Sequence, residues 1–317
     1  MLKRIYTKKL IICAVALFAI MLIYAIPNKK EMNSIKEELS YVNKDVKTSN
    51  IFLLDSNNYL ASTKIITENT DKEKLAKELL ESLIIDGPKQ DKIPSGFKAI
   101  IPSNTTIKSL TINNGVVKVD FSSELMNTNL EDEEKIIEAI VYTLTSIDDI
   151  KQVIIYMDGE ILIKLPKSKK TIPSTLDRSF GINKEYNITN NKDINKTTVY
   201  YISSFNDEKY YVPVTKVNND NRNKIEIIVD ELSSSNVYKT NLMSYLNSNA
   251  KLISASELDD EIDLNFSSEI LNDLNTKEIL EEVIYTISMS INDNYNVSTI
   301  VFNVENEEIV TVQSRDR

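Results

Sequence analysis

The sequence is organised around residues 117–125, which read VKVDFSSEL, and around a second version of that pattern at residues 262–270, which read IDLNFSSEI. In both copies apolar and polar residues alternate up to the phenylalanine, which is the period of a strand with one buried face. The shared Ser-Ser-Glu then ends the alternation, and an amphipathic segment follows each copy. Two copies of one pattern predict two tandem domains of the same kind.

The composition argues against several classes of function. The net charge of −10 argues against nucleic-acid binding, because the phosphates would repel the chain. The chain has no histidine, and its single cysteine, Cys13, lies in an apolar run. This composition removes the usual general base, the Ser-His and Cys-His nucleophile pairs, a disulfide within the chain and a Cys-rich metal site. We therefore predict no catalytic residue, no metal site and no cofactor.

An apolar run at residues 10–26 predicts a transmembrane signal anchor. Basic residues in the tail before it, residues 1–9, favour a cytoplasmic tail, so the bulk of the chain is expected outside the cell membrane. A cleaved signal peptide is one alternative, although no small-x-small site follows the run. A lipoprotein is the other, although Cys13 lies inside the run and follows Ile12 rather than a small residue.

Three further segments lie outside the repeats. Residues 27–49 are expected to form a stalk, whose short heptad pattern of apolar residues could pair two stalks. Residues 166–197 are polar and irregular and are predicted to be a linker. Its lysines are expected to be solvated, with an anionic polymer or lipid as the alternative. Residues 313–317 form a tail.

The first repeat, residues 50–165, is predicted to contain strands, a central hairpin and two helices. The hairpin turns at Asn113-Asn114-Gly115. Apolar stripes within residues 75–83 and 136–144 predict the helices. Asp86-Gly87-Pro88 is expected to end the first helix, with the glycine in the left-handed conformation.

The second repeat, residues 198–312, follows the same order but is divergent. It has Ser-Ser-Ser-Asn in place of Asp86-Gly87-Pro88, and Asn247 in place of Pro102. Its second helix is predicted from an apolar stripe that aligns Tyr285-Thr286 with Tyr142-Thr143 of the first repeat. The stripe consists of Ile279, Leu280, Val283, Ile284 and Ile287.

These patterns predict an α+β fold. It consists of two tandem homologous domains, each with a small mixed sheet packed on two helices, after an N-terminal transmembrane helix.

Three groups of residues are candidates for function. Ser122 and Ser267 each precede a Ser-Glu, but a base for the serine proton and oxyanion donors are missing, so a turn or cap is favoured. The acidic run at residues 131–134 is expected to be a solvated first helical turn rather than a cation site or a general acid. For Tyr142 and Tyr285, packing at the edge of the helix stripe is favoured over a domain or subunit contact.

The sequence resembles GerM-type sporulation and germination proteins, which carry tandem GerMN domains. Five motifs of the first repeat carry the resemblance, and the second repeat keeps one of them as Leu264-Asn265-Phe266-Ser267. The five motifs are residues 83–88 with Asp86-Gly87-Pro88, Ile101-Pro102, Val119-Asp120-Phe121-Ser122, residues 142–145 and residues 153–159.

The resemblance implies an extracytoplasmic, membrane-tethered protein with compact α+β domains. The family resembles the ring-building domains of the channel that joins mother cell and forespore. The familiar form is a lipoprotein, whereas this chain lacks a usable lipobox.

The leading hypothesis is a non-enzymatic, membrane-anchored envelope protein of sporulation and germination. It would support assembly of a ring-like or channel complex at the septal or forespore membrane, through envelope or sporulation proteins or through self-association. The alternative is a module that binds peptidoglycan or another cell-wall polymer. A wall hydrolase based on carboxylates is a third hypothesis.

Overall fold

The computed structural model describes residues 47–234, 241–295 and 297–313. These residues belong to one compact unit that begins at Val46. The predicted anchor at residues 10–26, the tail before it and nearly all of the predicted stalk lie outside the described residues. Within the part that is described, no helix combines the length and apolar character that a bilayer crossing requires.

The first repeat alternates short strands with two helices. Asp71 caps the first helix by accepting a hydrogen bond from the backbone N–H of Lys74 at 3.0 Å. Leu79 and Leu80 lie fully buried on its inner face, where each stabilises the fold by about 1.5–3 kcal/mol. The elements are β1 Thr48–Leu54, β2 Leu60–Ile66, α1 Lys72–Ser82, β3 Ile107–Asn113, β4 Val116–Phe121, α2 Glu133–Leu144, β5 Gln152–Met157 and β6 Glu160–Ile161.

The connecting segment and the second repeat supply the remaining elements. Asn223 caps the first helix of the second repeat by accepting a hydrogen bond from the N–H of Ile225 at 2.8 Å. The elements are β7 Glu185–Asn187, β8 Asn195–Phe205, β9 Glu208–Asn218, α3 Lys224–Ser233, β10 Leu252–Leu258, β11 Glu261–Phe266, β12 Leu271–Asp273, β13 Glu278–Ile279, α4 Glu281–Asn294, β14 Thr299–Val304 and β15 Glu307–Gln313.

Each repeat has a four-stranded mixed sheet. The strand orders are β3-β4-β5-β6 and β10-β11-β14-β15. The two central strands run parallel in both, with Val117 opposite Val153 and Ile262 opposite Ile300. The predicted α+β fold with mixed sheets in tandem repeats is confirmed.

A third sheet joins the two repeats. Its five strands follow the order β1-β2-β9-β7, with β8 also paired to β9. Strand β2 of the first repeat pairs with β9 of the second through Ser62 and Tyr211. Asn183 bridges the same strands, because its amide donates to the carbonyls of Leu60 and Pro213, each at 2.8 Å. Its carbonyl accepts from the N–H of Leu60 at 2.9 Å.

The segment predicted as a linker, residues 166–197, is packed against both repeats. Leu176, Phe180 and Ile182 are buried in the core that the first repeat forms. Its strand β7 pairs with β9 of the second repeat. The domain boundaries at residues 165 and 198 remain a prediction, since the repeats belong to one compact unit.

In the structure, helix α4 of the second repeat aligns with α2 of the first repeat four residues away from the predicted match of Tyr285-Thr286 with Tyr142-Thr143. In the first repeat, the Thr143 hydroxyl accepts a hydrogen bond from the N–H of Phe52 in β1 at 3.1 Å. In the second, the equivalent strand donor is Tyr200 of β8, and its acceptor is the hydroxyl of Ser290 at 2.8 Å. Ser290, rather than Thr286, is therefore the counterpart of Thr143.

The helix start supports this correction. Helix α4 begins at Glu281, so Ile279 lies in β13 and Leu280 is the N-cap instead of a member of the helix stripe. A shift of four residues is about one helical turn, which leaves an apolar stripe almost unchanged. Periodicity could not separate the two alignments.

Candidate functional site

The repeat motif of the first repeat is used inside the fold. Val119 and Phe121 alternate into the core and are fully buried. Between them, Asp120 accepts a hydrogen bond from the N–H of Gly159 at 3.0 Å and so closes the turn between β5 and β6. The Ser122 hydroxyl accepts from the N–H of Thr106 at 3.0 Å.

The second repeat uses the motif in the same way. Leu264 and Phe266 are fully buried. Asn265 accepts a hydrogen bond from the N–H of Asn306 at 2.9 Å, and Ser267 accepts from the N–H of Lys251 at 3.1 Å. In each repeat, the residues shared by the two copies thus fill the core, close one turn and bind the backbone just before the first hairpin strand.

The Ser-Glu pairs of the two motifs are poor candidates for nucleophilic chemistry. The Ser122 hydroxyl lowers the pKa of Glu124, and Ser267 does the same to Glu269. A glutamate with a lowered pKa is a weaker base at neutral pH, whereas a serine nucleophile needs a strong one.

The turn motif differs from its prediction in one respect. Helix α1 ends at Ser82, and Asp86 takes the left-handed conformation with φ 54°, whereas Gly87 does not have a positive φ. A Cβ at Gly87 would lie 2.8 Å from the carbonyl oxygen of Ile84. Close approach of the backbone therefore explains this glycine. Ile101 follows the same turn and donates its N–H to the Leu83 carbonyl at 2.8 Å.

An open cleft of about 440 Å³ adjoins the turn motif. Its wall is partly apolar, and Asp132 and Lys167 place one carboxylate and one ammonium at it. The lining residues are Leu54, Ile85, Ala99, Ile100, Pro102, Ser103, Asn127, Thr128, Asn129, Asp132 and Lys167. Such a mixed surface fits a peptide or side-chain contact better than it fits acid–base chemistry with paired carboxylates.

The sequence predicts a solvated helical turn for the acidic run at residues 131–134, but the structure shows that part of this run is buried. Glu133 is fully buried, and its carboxylate accepts the backbone N–H groups of Lys167 and Ser168, the latter at 2.8 Å. Burial raises the pKa of Glu133, but these hydrogen bonds outweigh it and leave the pKa lowered. Glu134 binds Lys170 at 2.6 Å and Lys184 at 2.7 Å. The acidic turn thus holds the lysine-rich part of the connecting segment.

Tyr142 is fully buried where the connecting segment meets the first repeat. Its hydroxyl donates to the carbonyl of Arg178 at 3.1 Å, and the Arg178 guanidinium lies 4.9 Å from its ring centroid. Tyr142 therefore packs in the core, and its hydroxyl binds a backbone carbonyl.

Arg178 links the repeats. No pattern in the sequence predicted this contact. It forms a buried salt bridge with Asp293 of α4, and Tyr200 donates its hydroxyl to the same carboxylate at 2.9 Å. Its Nε donates to the Thr145 hydroxyl at 3.1 Å on the side of the first repeat. Burial disfavours the charged guanidinium, but Asp293 outweighs burial and raises the pKa of Arg178. A lone arginine in a polar segment gives no sequence signal for such a contact.

Tyr285 occupies a different environment from Tyr142. It is half-buried on α4, and its ring meets Tyr211 edge-on at a centroid distance of 6.2 Å. With the corrected helix alignment, Met289 is the counterpart of Tyr142. The two tyrosines are therefore not equivalent contact residues.

Within residues 47–234, 241–295 and 297–313, no group of acidic residues is arranged to hold a metal ion. The candidate site is the open cleft beside the turn motif.

Comparison with known proteins gives three concordant results. The family model described as "Germane: Sporulation and spore germination" matches residues 50–163 and 198–310. The chain is 31% identical over 257 residues to "Spore germination protein GerM" of Bacillus subtilis (strain 168), covering 79% of this chain and 69% of that protein. It is also similar to the solved structure of the tandem GerMN domains of the sporulation protein GerM from Bacillus subtilis. That match has a TM-score of 0.75 and 29% identity, and it covers 82% of this chain and 92% of the other.

Proposed function

Since this chain belongs to the Germane family of sporulation and spore germination proteins, we propose that it supports assembly of an envelope complex during sporulation. In this proposal the protein is non-enzymatic and anchored by residues 10–26, and its repeats make contacts with other envelope proteins. The complex is ring-like or channel-like and lies at the septal and forespore membrane.

The observation that carries the proposal is the internal use of the shared motif. Asp120 and Asn265 close turns, Ser122 and Ser267 cap neighbouring strands, and the phenylalanines fill the core. The residues that the two copies share thus form a scaffold. A scaffold with an open cleft and uncovered strand edges supports a role in contacts.

The test has two parts. The gene is deleted in the native host, and a copy tagged with a fluorophore that works outside the membrane is followed through sporulation. We expect fewer heat-resistant or germinating spores and enrichment of the tag at the septum and then around the forespore. Normal spores and a uniform signal in growing cells would contradict the proposal.

A second candidate function is binding of peptidoglycan or another wall polymer. The lysines at the start of the connecting segment favour it, because Lys167 and Lys169 are exposed, as is Lys164 at the end of the first repeat. Co-sedimentation of the protein with purified cell wall would support this function, and its absence would exclude it. Zymography on the same wall material tests the hydrolase hypothesis, for which a cleared band is required.

A further inference from the structure

Strand β10 is an uncovered edge of the second repeat. It occupies one end of the order β10-β11-β14-β15, and every residue after Leu252 is exposed. Ile253 and Leu258 are 52% and 70% exposed, so two large apolar side chains lie open to solvent on this one strand. An edge of this kind presents unpaired backbone groups to any extended chain nearby.

The equivalent edge in the first repeat is partly covered. There the first turn of α1 lies against β3, and the Glu73 carboxylate accepts the outward N–H of Ile112 at 2.9 Å. Helix α3 begins at Lys224, about one turn later relative to its apolar stripe, so it lies less extensively against β10 than α1 lies against β3. Among the described residues, no side chain accepts a hydrogen bond from the β10 backbone.

The pairing register shows which groups of β10 are available. Leu258 faces Glu261 across the two-residue turn, and Ser256 faces Asp263. Because N–H directions alternate along a strand, the N–H groups of Ala255 and Glu257 point away from β11. These two N–H groups and the carbonyls beside them can pair with a further strand.

The flank of this edge is acidic. Five carboxylates lie within seven residues, and in the described part of the chain none of them forms a salt bridge. They belong to Glu257, Asp259, Asp260, Glu261 and Asp263. Asp260 and Asp263 accept hydrogen bonds from Ser298 and Asn303, but the five negative charges are not neutralised by a cation and attract a segment that carries positive charge.

We propose that β10 receives an extended, lysine- or arginine-bearing segment of a partner protein as an additional strand of its sheet. The backbone ladder gives the binding energy, and the acidic flank selects the basic segment. This inference rests on the proposed role in assembly, and it gives the second repeat a contact surface that the first repeat lacks.

The test uses residues 46–317, which include the whole compact unit, and a synthetic peptide in which lysine alternates with threonine and valine. In ¹⁵N NMR titrations we expect the amide signals of residues 253–258 to shift, and the shifts to weaken as salt is added. A peptide with glutamate in place of lysine should produce no such shifts. Shifts located elsewhere, or equal shifts with both peptides, would overturn the proposal.

Two variants sharpen the test. Ala255→Pro removes an outward N–H and leaves the ladder to β11 intact, so binding should fall at least about tenfold. Glu257→Lys should also weaken binding, whereas Glu160→Lys, an equal charge change on exposed β6 of the other repeat, should leave it within about twofold. Unchanged β14 signals confirm that each variant is folded. Undiminished binding to Ala255→Pro contradicts the strand-addition mode.

Other outcomes identify other occupants. If the protein self-associates and Ala255→Pro prevents it, the occupant is a second copy and the proposed partner class is wrong. In the native host, a deletion defect rescued fully by Ala255→Pro overturns this inference alone. A deletion without defect overturns the proposed function and leaves the peptide result standing.

Discussion

Arg178 is the residue on which the contact between the repeats depends most. Its side chain is 18% exposed and that of Asp293 is 1% exposed, so removal of either partner leaves a charge with little access to water. We expect Asp293→Ala to lower the free energy of unfolding by about 3–5 kcal/mol. Urea unfolding followed by circular dichroism measures this change.

A matched control is the exposed pair of Lys77 and Glu81, whose charged atoms are 3.9 Å apart on α1. Lys77→Ala should cost less than about 0.5 kcal/mol, because water screens this pair and alanine favours the helix. Equal costs for the two variants would show that the Arg178 contact is not a buried link.

The serines of the repeat motif allow a test of its structural role. Ser122→Ala and Ser267→Ala should each cost about 1 kcal/mol of unfolding free energy, since each leaves the N–H of the residue before β3 or β10 without its acceptor. Ser123 is exposed, and Ser123→Ala should cost less than about 0.5 kcal/mol. Thermal unfolding of the three variants gives the comparison. If only Ser122→Ala is destabilising, the copies do not use the motif alike.

At the scale of elements, the sequence predicted strands and hairpins well. Alternation located β4 and β11, and Asn114-Gly115 located the turn between β3 and β4, because these signals are local. It did not locate α4 correctly, since an apolar stripe repeats with each helical turn. It also could not show that Glu133 is buried, because the N–H groups that stabilise this carboxylate come from residues 167 and 168.

Glu133 should make the packing of the connecting segment against the first repeat sensitive to acid. Its pKa is lowered in the folded state, so its stabilising effect is present above its ordinary pKa and is lost as the pH falls through the folded value. We expect the unfolding free energy to fall between about pH 5 and about pH 3, and to fall less steeply in Glu133→Gln. Urea unfolding at a series of pH values measures both slopes.

Glu131 provides the control for this series. It is exposed, two residues away on the same acidic run, so Glu131→Gln should keep the slope of the parent protein. If Glu133→Gln has the same slope as Glu131→Gln, the buried hydrogen bonds to the connecting segment do not contribute to acid sensitivity.

At the scale of the whole molecule, the sequence predicted the two repeats but not the contacts that join them. Composition made residues 166–197 look like a solvated linker, because its few apolar residues are scattered among lysines and asparagines. Asn183 binds carbonyls of both repeats, and the N–H of Ile182 donates to the Thr215 hydroxyl of the second repeat, so these contacts form only when both repeats are present. A contact between distant segments leaves no period in the sequence.

The shared sheet predicts a single cooperative unfolding transition. In the parent protein, amides of β1 and β8 should exchange with the same free energy of opening. Asn183→Ala removes three hydrogen bonds between β2, β9 and the connecting segment, so it should cost about 2–3 kcal/mol. Native-state hydrogen exchange should then show β8 opening before β1. Separate transitions in the parent protein would contradict this account.

The sheet shared by the repeats also bears on how such a gene can change. A chain that stopped after the first repeat would leave β2 without β9, and an unpaired apolar strand edge invites aggregation. Loss of the second copy is therefore penalised even when that copy makes no contact of its own. The second repeat thus completes the architecture of the first through the shared sheet, while its outer turns lack Asp86-Gly87-Pro88 and Pro102 of the first repeat.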